Sequence, residues 1–461
     1  MSSSHQEEVD DITSAYATAL LRSLQFSGVK FLRYCTVDVC NNLRIKVKLV
    51  DQLLLSQKNL TLNNQISIAE ICYAGLPYYA DTMIEGTGLD AKKVLILQPD
   101  LSSFRILPYA PKSAIVMGNS IDQYTNETSP LCTRSVLGRI VREAKEQHNI
   151  GFSVGVEIEF CLVEAKSGEF VDDSVFANAT TLNDQEELLS DLYDQLNQQH
   201  IPLELIHAES GPGQLEIVLQ HSNDLVGLVD NVVLAKETIS VVAKAHGCKA
   251  LFLPKYNSAK AGNGLHVHMS IHDAITLQPL FCNGNSLSLK GASFVEGILE
   301  HLPAILGLTM PTVNSFRRVG IGCWTGSQVG WALEDKEVGI RICSNLVTKE
   351  WDHVECKLID ASCNLYLGLA ALLSSGLHGL SRGLELRPSL SESSCSDGPT
   401  ITPLPTSQED ALSALEHDTY ILHNLMDLKL SQGYLALKRN ELERSSTMTL
   451  EDEVKEALAR S

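Results

Sequence analysis

The sequence predicts an α+β fold with a small strand-rich N-terminal domain and a larger mixed domain. Three observations support this prediction. Antiparallel-type strands are interspersed with helical segments, without the regular strand–helix alternation of a doubly wound sheet. Strand-like runs dominate up to about Met117, and a polar, turn-forming stretch between Asn119 and Leu131 follows them. The 461 residues suffice for two domains of unequal size, which we place at 1–118 and 119–461.

The first domain is predicted to open with a helix followed by a β-hairpin. Apolar side chains recur about every 3.6 residues between positions 10 and 26, which is the helical period. The runs Lys30–Val37 and Leu43–Val50 alternate in polarity on either side of the turn-forming Asp38–Asn42. This arrangement indicates two antiparallel strands joined by a tight turn.

The second domain is predicted to mix helices with strands. The predicted helices are Arg134–His148, Asp184–Gln198, Asp224–His246, Ala292–Leu306 and Asn364–Leu384. The predicted strands are Phe152–Val163, Leu203–His207, Gln214–Gln220, Leu265–His272, Val338–Cys343 and Val354–Ile359. A loop-rich stretch surrounds Trp324, and the Ser- and Pro-rich segment Leu386–Gln408 is expected to be an exposed flap or loop.

Composition excludes several classes of function. The chain carries 36 Lys+Arg against 56 Asp+Glu, a formal charge of −20 that would repel a phosphate backbone, so we expect no nucleic-acid partner. No apolar run approaches the roughly 18 residues of a membrane span. The N-terminus is acidic and polar, unlike a secretory signal, and the twelve cysteines lack the spacing of a disulfide framework. We therefore expect a cytoplasmic protein with no membrane partner.

Four strands carry acidic, imidazole or cationic groups at positions that can converge. Residues two apart on a strand point to the same face, and groups on either side of a tight turn can meet. Each pair alone could belong to a solvated outer face. The pairs are Glu157 with Glu159, Glu209 with Glu216 across a Gly-Pro-Gly turn, His266 with His268, and Glu355 with Lys357.

The residues between these polar groups are strongly apolar, so the strands are predicted to place one face in the core and the other in a polar cavity. Carboxylates that share a cavity repel each other unless cations bind. Mostly oxygen ligands with one imidazole suit Mg²⁺ or Mn²⁺ better than zinc, and two such ions are typical of phosphoryl transfer. The nearby cations, each of which could instead form a surface salt bridge, are Arg317, Arg318, Lys336, Arg341 and Lys357.

These segments together resemble the glutamine synthetase family, closest to its FluG and nodulin/glutamine synthetase-like branch. The resemblance rests on VGVEIEF, HAESGPGQLEI, FLPKYNSAKAGNGLHVHMS, NSFRRVGIGCW, DKEVGIRI and HVECKLIDASCNLYLGLAALLSSGLHGL, all in the family's order. It implies an N-terminal β-grasp domain and a catalytic domain with an open antiparallel β-barrel and surrounding helices. Some members of this branch carry an extra amidohydrolase-like domain ahead of the synthetase part. We do not expect that domain here, because only a short segment precedes the first predicted strand.

The resemblance also implies an activity. The family activates the γ-carboxylate of glutamate with ATP as an acyl phosphate and joins it to ammonia or another amine. It implies two or more Mg²⁺ or Mn²⁺ ions per subunit, ATP as a substrate, and self-association into a ring of ten or twelve subunits.

Site residues follow from the same resemblance, position by position. Metal ligands are expected at Glu159, Glu209 and Glu216 for one ion, and at Glu157, His266 and Glu355 for the other. ATP is expected to contact His268, Lys336 and Arg341. Gly262, Arg318 and Lys357 are expected to bind substrate, and the catalytic residues are expected to be Arg318, Asp38 of a neighbouring subunit, and Trp324.

The chain departs from the family pattern at four of these places. Lys336 and Lys357 replace arginines and lose the bidentate guanidinium, while Ala261 replaces the Asn before Gly262. Trp324 aligns with the flap glutamate that accepts the proton of ammonium, and an indole cannot act as a base. Two functions remain open. One is an ATP-dependent ligase that uses ammonia or, as Trp324 favours, a bulkier amine; the other is a non-catalytic scaffold or regulator that keeps the ring and nucleotide binding.

Overall fold

A computed structural model describes residues 15, 17–55, 66–320, 322–393 and 402–460. Residues 17–26 form the later part of the first predicted helix, while most of the earlier part lies outside the described residues. The strands form two sheets, one from each half of the chain. No helix of the described residues is long and apolar enough to cross a membrane.

The N-terminal sheet has six strands in the order β2-β1-β6-β4-β3, with β5 paired to β6. β1 and β6 run parallel, and the other pairs are antiparallel. The predicted hairpin is confirmed, since Val37 pairs with Leu43 across the turn. β6 continues past residue 118, where we placed the domain boundary. The strands are β1 (Phe31–Val37), β2 (Leu43–Leu49), β3 (Ile66–Ala69), β4 (Val94–Pro99), β5 (Arg105–Ile106) and β6 (Ser113–Asp122).

The second sheet has eight strands in the order β12-β13-β14-β11-β7-β9-β8, with β10 paired to β7. Only β12 and β13 run parallel. The long strand β7 lies between β11 and β9, so it positions its neighbours on both sides. The strands are β7 (Ile150–Glu164), β8 (Leu203–Ala208), β9 (Gln214–Ser222), β10 (Cys248–Leu251), β11 (Val267–Asp273), β12 (Trp331–Leu333), β13 (Ile340–Ser344) and β14 (Trp351–Cys356).

Helices cover the sheets, and local sequence sets their ends. The Asn364 side chain accepts a hydrogen bond from the Leu367 N–H at one helix start, and Gly383 ends that helix with φ 61°. The α-helices are 17–26, Val50–Leu55, Ile71–Ala74, Thr133–His148, Ala179–Asp184, Glu186–Gln198, Leu225–Ala245, Leu289–Thr309, Leu365–Arg382, Leu390–Ser393, Gln408–His417, Asp427–Ser445 and Leu450–Arg460. Short 3₁₀ segments lie at Leu101–Ser103 and Asn314–Arg318, and a π-helical turn at Ile421–Leu425.

The core of the second half lies on one face of its sheet. Val156, Ile158 and Phe160 of β7 are fully buried, as are Ile217 of β9 and Val267 of β11. They belong to one apolar cluster with the buried residues of the helices Leu225–Ala245 and Leu365–Arg382. The alternate residues of these strands are therefore directed away from that cluster.

The expectation of an exposed segment between Leu386 and Gln408 is wrong in part. Leu404 and Gln408 are 3% and 2% exposed. The Leu404 N–H donates to the Ser327 carbonyl, and the Gln408 side chain donates to the Pro311 carbonyl. Both residues thus contact segments that are distant in sequence, and composition alone does not reveal such partners.

Candidate active site

Strand register gathers charged side chains on the face of the second sheet opposite its apolar core. Glu157 and Glu159 alternate with the buried apolar residues of β7. Glu159 lies opposite Glu216 on β9, and His268 on β11 lies opposite Glu355 on β14. Acidic and imidazole groups from four strands therefore share one cavity, as the sequence predicts.

The first group in this cavity is centred on His266, just before β11. Its Nδ1 lies 3.0 Å from Glu157 Oε2 and 3.6 Å from Glu355 Oε1. Its Nε2 lies 3.5 Å from Glu159 Oε1. Glu157, His266 and Glu355 each offer a ligand atom within 4.8 Å of the others. The three residues expected to hold one ion are thus brought together.

The second group lies at the turn between β8 and β9. His207 Nε2 is 3.1 Å from Glu209 Oε1, and its Nδ1 is 3.9 Å from Glu216 Oε1. Ligand atoms of these three residues also lie within 4.8 Å of one another. Glu159, expected to share an ion with both glutamates, accepts a 2.9 Å hydrogen bond from the Gly264 N–H. The turn therefore brings Glu209 and Glu216 together, with a histidine that we did not predict.

The cavity is short of positive charge. Burial, followed by repulsion from Glu157 and the other carboxylates of the cavity, raises the pKa of Glu216 to about 10. Burial alone would also raise the pKa of Glu157, but the hydrogen bonds and charges of His266 and His268 outweigh it and hold that pKa well below its usual range. Ionising all these carboxylates together therefore requires added cations.

This donor set fits hard divalent cations. Mostly carboxylate oxygens, with few imidazoles and no cysteine among the predicted ligands, suit Mg²⁺ or Mn²⁺ better than a structural zinc site. A bound cation would favour the ionised form of Glu216 and so lower its raised pKa. The residues that would hold one ion are Glu157, His266 and Glu355, and those for a second are Glu159, Glu209 and Glu216.

Cationic side chains border the carboxylates. Arg341 on β13 lies opposite Glu355, and its guanidinium donates to that carboxylate. Lys357 Nζ donates a 2.7 Å hydrogen bond to the Lys336 carbonyl, which places these two residues side by side. Burial lowers the pKa of Lys357. The predicted phosphate-side residues Arg341, Lys336 and His268 thus lie along the β11–β14 side of the cavity.

The predicted substrate-binding residues Arg318 and Gly262 are also adjacent. Arg318 is 5% exposed, and its Nη1 donates to the Lys357 carbonyl at 3.1 Å. A Cβ placed on Gly262 would lie 3.1 Å from the Arg318 Cβ and 2.4 Å from the Pro254 carbonyl oxygen. Only glycine fits this close approach. Ala261, the departure from the family pattern, directly precedes it.

Trp324 lies in a loop that starts beside Arg318. Gly320 and Gly326 form an isolated bridge across this loop, and the Thr325 hydroxyl donates to the Arg318 carbonyl at 3.3 Å. Trp324 itself has φ 62°, a backbone conformation that is rare for a bulky residue, and its side chain is 51% exposed. Such local strain is concentrated at binding and switch regions.

Asp38 lies in the β1–β2 turn and is 2% exposed. Its carboxylate accepts hydrogen bonds from the backbone N–H groups of Cys40 and Asn42, at 2.9 and 2.8 Å, and from Arg44 Nε at 2.8 Å. Burial raises its pKa despite the charge of Arg44. Within the described part of the chain, this carboxylate contacts its own turn and Arg44 on β2, and not the carboxylate cavity.

Two site residues escaped the sequence analysis, although the strand period points to both. His207 is two residues before Glu209, and His353 is two residues before Glu355. Such spacing directs both members of each pair to one face. In the structure His353 Nε2 lies 2.9 Å from Nδ1 of His268. A systematic search for residues two apart would have found them.

The chain is similar to known proteins over most of its length. A family model described as "Glutamine synthetase, catalytic domain" matches residues 130–457. The chain is 28% identical to Type-1 glutamine synthetase 1 of Dictyostelium discoideum over 90% of this chain and 86% of that protein. It is 29% identical to Gamma-glutamylpolyamine synthetase GlnA3 of Streptomyces coelicolor, over 79% and 81% of the two chains.

Two further comparisons concern the branch and the fold. The chain is 30% identical to Protein fluG of Emericella nidulans, over 76% of this chain and 40% of that protein. A solved structure titled "Crystal structure of novel glutamine synthase homolog" superposes with a TM-score of 0.80 at 24% identity, covering 94% of this chain and 99% of the other. This likeness confirms the predicted α+β architecture with its barrel-like second sheet.

Proposed function

Because the chain belongs to the glutamine synthetase family, we propose that it uses ATP to activate the γ-carboxylate of glutamate as an acyl phosphate, which an amine other than ammonia then attacks. The family comprises ATP-dependent ligases that use divalent metal ions, generally Mg²⁺ or Mn²⁺, and usually form oligomers. The observation that carries the proposal is the convergence of five carboxylates and His266 in one cavity bordered by Arg341 and Lys357.

The proposed roles follow the chemistry of each group. Divalent ions would neutralise the phosphate oxygens that meet the carboxylate cavity. His268, Lys336 and Arg341 would bind the phosphates of ATP from the opposite side. Arg318 would hold the acid substrate with the backbone of Gly262 beside it, where a side chain would clash with the Pro254 carbonyl oxygen. The amine displaces phosphate from the acyl phosphate and releases one proton.

The choice of amine follows from Trp324. An indole cannot take a proton from ammonium, so the nucleophile must arrive as a neutral amine or lose its proton elsewhere. A larger and less basic amine is more often unprotonated near neutral pH, and its apolar part can pack on the exposed ring. The similarity to a protein named gamma-glutamylpolyamine synthetase supports an organic amine as the substrate.

The proposal is tested by incubating the full-length protein with Mg²⁺, ATP and glutamate plus one amine at a time. The panel contains ammonia, a polyamine, a short alkylamine and an aromatic amine, and phosphate and the γ-glutamyl product are both measured. We expect amine-dependent phosphate release with at least one organic amine. A folded oligomer that stays silent across the panel would refute the ligase proposal.

Trp324 variants test the choice of amine. Trp324→Glu supplies a carboxylate that can act as a base, so kcat/KM for ammonia should rise at least about tenfold relative to the best organic amine. Trp324→Ala should raise the KM for that amine by about three- to tenfold, because the ring contact is lost, while the KM for ATP changes little. Efficient use of ammonia by the wild type, unchanged in both variants, would place Trp324 outside the amine pocket.

The alternative is a scaffold or regulator that binds Mg-ATP without turnover. Ala261 and Trp324 favour it, because each replaces a polar side chain expected in a catalytic member of the family. The discriminating result is that Mg-ATP raises the melting temperature while no ADP forms with any amine of the panel. In either case we propose a cytoplasmic ring of ten or twelve subunits.

A further inference from the structure

A second cluster of imidazoles lies on helices rather than on the strands of the candidate active site. His301 is on the helix Leu289–Thr309 and His378 on the helix Leu365–Arg382, with His301 Nε2 2.8 Å from His378 Nδ1. Glu300 is next to them, and one ligand atom from each of the three residues lies within 4.8 Å of the others. Two imidazoles and a carboxylate are a common donor set for zinc.

The cluster is held in a fixed orientation. His301 is 6% exposed, and its Nδ1 lies 2.6 Å from Asp418 Oδ2. A carboxylate in this position fixes the Nδ1–H tautomer and leaves Nε2 with a free electron pair, as it does for histidines that bind zinc. His378 stacks on Tyr420 with ring centroids 3.9 Å apart and planes inclined by 10°. Both rings are therefore oriented before any ion arrives.

A proton now occupies the position that an ion would take. Because His301 Nε2 is the acceptor, His378 Nδ1 must carry the hydrogen between the two rings. If His378 shifts that hydrogen to Nε2, both facing nitrogens offer electron pairs to a cation. Zn–N bonds of about 2.0–2.1 Å at a tetrahedral angle place two nitrogens roughly 3.3 Å apart, so the rings need to separate by only about 0.5 Å.

We propose that Glu300, His301 and His378 bind one divalent ion of the zinc class, with Asp418 orienting His301. A water molecule would complete a tetrahedral shell. The ion would connect the two long helices to each other, and through Asp418 to the chain that follows the helix Gln408–His417. Glu300 currently pairs with the Arg382 guanidinium, and the ion would replace that cation as its partner.

The test measures zinc bound to the full-length protein by equilibrium dialysis in excess Mg²⁺, together with the melting temperature. The wild type should retain one more zinc ion per chain than His378→Gln. Zinc should also raise the melting temperature of the wild type more than that of the variant. His148→Gln removes a partly exposed histidine on another helix and should bind zinc like the wild type. ATP turnover should be unchanged in His378→Gln, which separates this site from the carboxylate cavity.

Glu300→Gln provides the second variant, because this exposed residue can be changed without a cavity in the core. It should weaken zinc binding at least about tenfold, since it removes a charged ligand. Equal zinc content in the wild type and folded His378→Gln would overturn the proposal. If His378→Gln does not fold, equal zinc affinity of the wild type and Glu300→Gln would overturn it instead.

Discussion

At the scale of single residues, Glu159 shows how one carboxylate is positioned for an ion. Its Oε2 accepts hydrogen bonds from the Gly264 N–H at 2.9 Å and from Gln214 Nε2 at 3.2 Å, while Oε1 is directed at His266. Glu159→Gln can keep this shape but removes the negative charge. We expect ATP turnover to fall at least about 100-fold and the stabilisation by Mg²⁺ to decrease, as measured by phosphate release and thermal unfolding.

Glu169→Gln is the matched control, because Glu169 is exposed in a loop after β7. It should leave both turnover and Mg²⁺-linked stabilisation unchanged. Wild-type behaviour of Glu159→Gln in both measurements would mean that Glu159 does not bind the ion.

The raised pKa of Glu216 predicts how the free energy of unfolding depends on pH when metal is removed. Its pKa of about 10 in the folded chain lies above the ordinary value of 4.5, so between these values the folded state holds a proton that the unfolded state has released. The free energy of unfolding therefore decreases as pH rises through this window. In EDTA, the melting temperature of the wild type should drop more steeply from about pH 6 to about pH 9 than that of Glu216→Gln.

Excess Mg²⁺ should remove this difference, because a bound cation favours the ionised carboxylate. Melting curves at several pH values, with and without Mg²⁺, make the comparison. Parallel pH profiles of the wild type and Glu216→Gln in EDTA would contradict the prediction.

Sequence could predict the site residues that follow strand periodicity, but not the environment of the others. Glu157 and Glu159 converge on His266 because β7 alternates faces, which the apolar residues between them already indicate. The sequence around Asp38 does not reveal that backbone N–H groups of its own turn donate hydrogen bonds to its carboxylate. Likewise, the sequence around Trp324 predicts a loop but not its left-handed backbone.

At the scale of secondary-structure elements, a buried ion pair ties three helices together. Arg134 on the helix Thr133–His148 donates to Asp230 on the helix Leu225–Ala245 at 2.9 and 2.8 Å. The Tyr366 hydroxyl donates to the same carboxylate at 2.5 Å. Asp230→Asn leaves the buried guanidinium without its main counter-charge, so we expect a loss of about 3–5 kcal/mol in the free energy of unfolding.

The control for this prediction is the half-exposed pair Arg139–Glu143 on the helix Thr133–His148. Arg139 Nη1 lies 3.1 Å from Glu143 Oε1. Glu143→Gln should change stability by less than about 1 kcal/mol, because water screens the pair. Denaturant unfolding of both variants gives the comparison. Equal, small effects would show that the Arg134–Asp230 pair is not the connection between these helices.

The length of an element decides how well sequence predicts it. The long β7 and the helix Leu225–Ala245 agree with their predicted positions, since many periods of the pattern fall within each. β10 and β12 have four and three residues and were missed, because so few positions define no period. The pairing of Pro403 with Gln328 depends on a contact that is distant in sequence, so no local pattern could indicate it.

At the scale of the whole molecule, the open question is whether Asp38 serves the active site of a neighbouring subunit. Its carboxylate is buried by its own turn, and the turn packs on the second half of the chain through the Asn364 side chain, which donates to the Asp38 carbonyl at 2.8 Å. A structural role predicts that Asp38→Asn lowers the melting temperature. A role in the neighbour's site predicts a loss of turnover that subunits with intact Asp38 can restore.

Mixed oligomers separate these two roles. If each active site needs Glu159 from one subunit and Asp38 from the next, then Asp38→Asn and Glu159→Gln subunits are each inactive alone, but a mixed ring contains some complete sites. Random assembly of equal amounts, by unfolding and joint refolding, should make about one quarter of the sites complete, because the interface in a ring is heterologous. We therefore expect about one quarter of wild-type phosphate release from the mixture, with each variant refolded alone as the control. If the mixture stays as inactive as its components while rings form, Asp38 stabilises its own turn and takes no part in the neighbouring site.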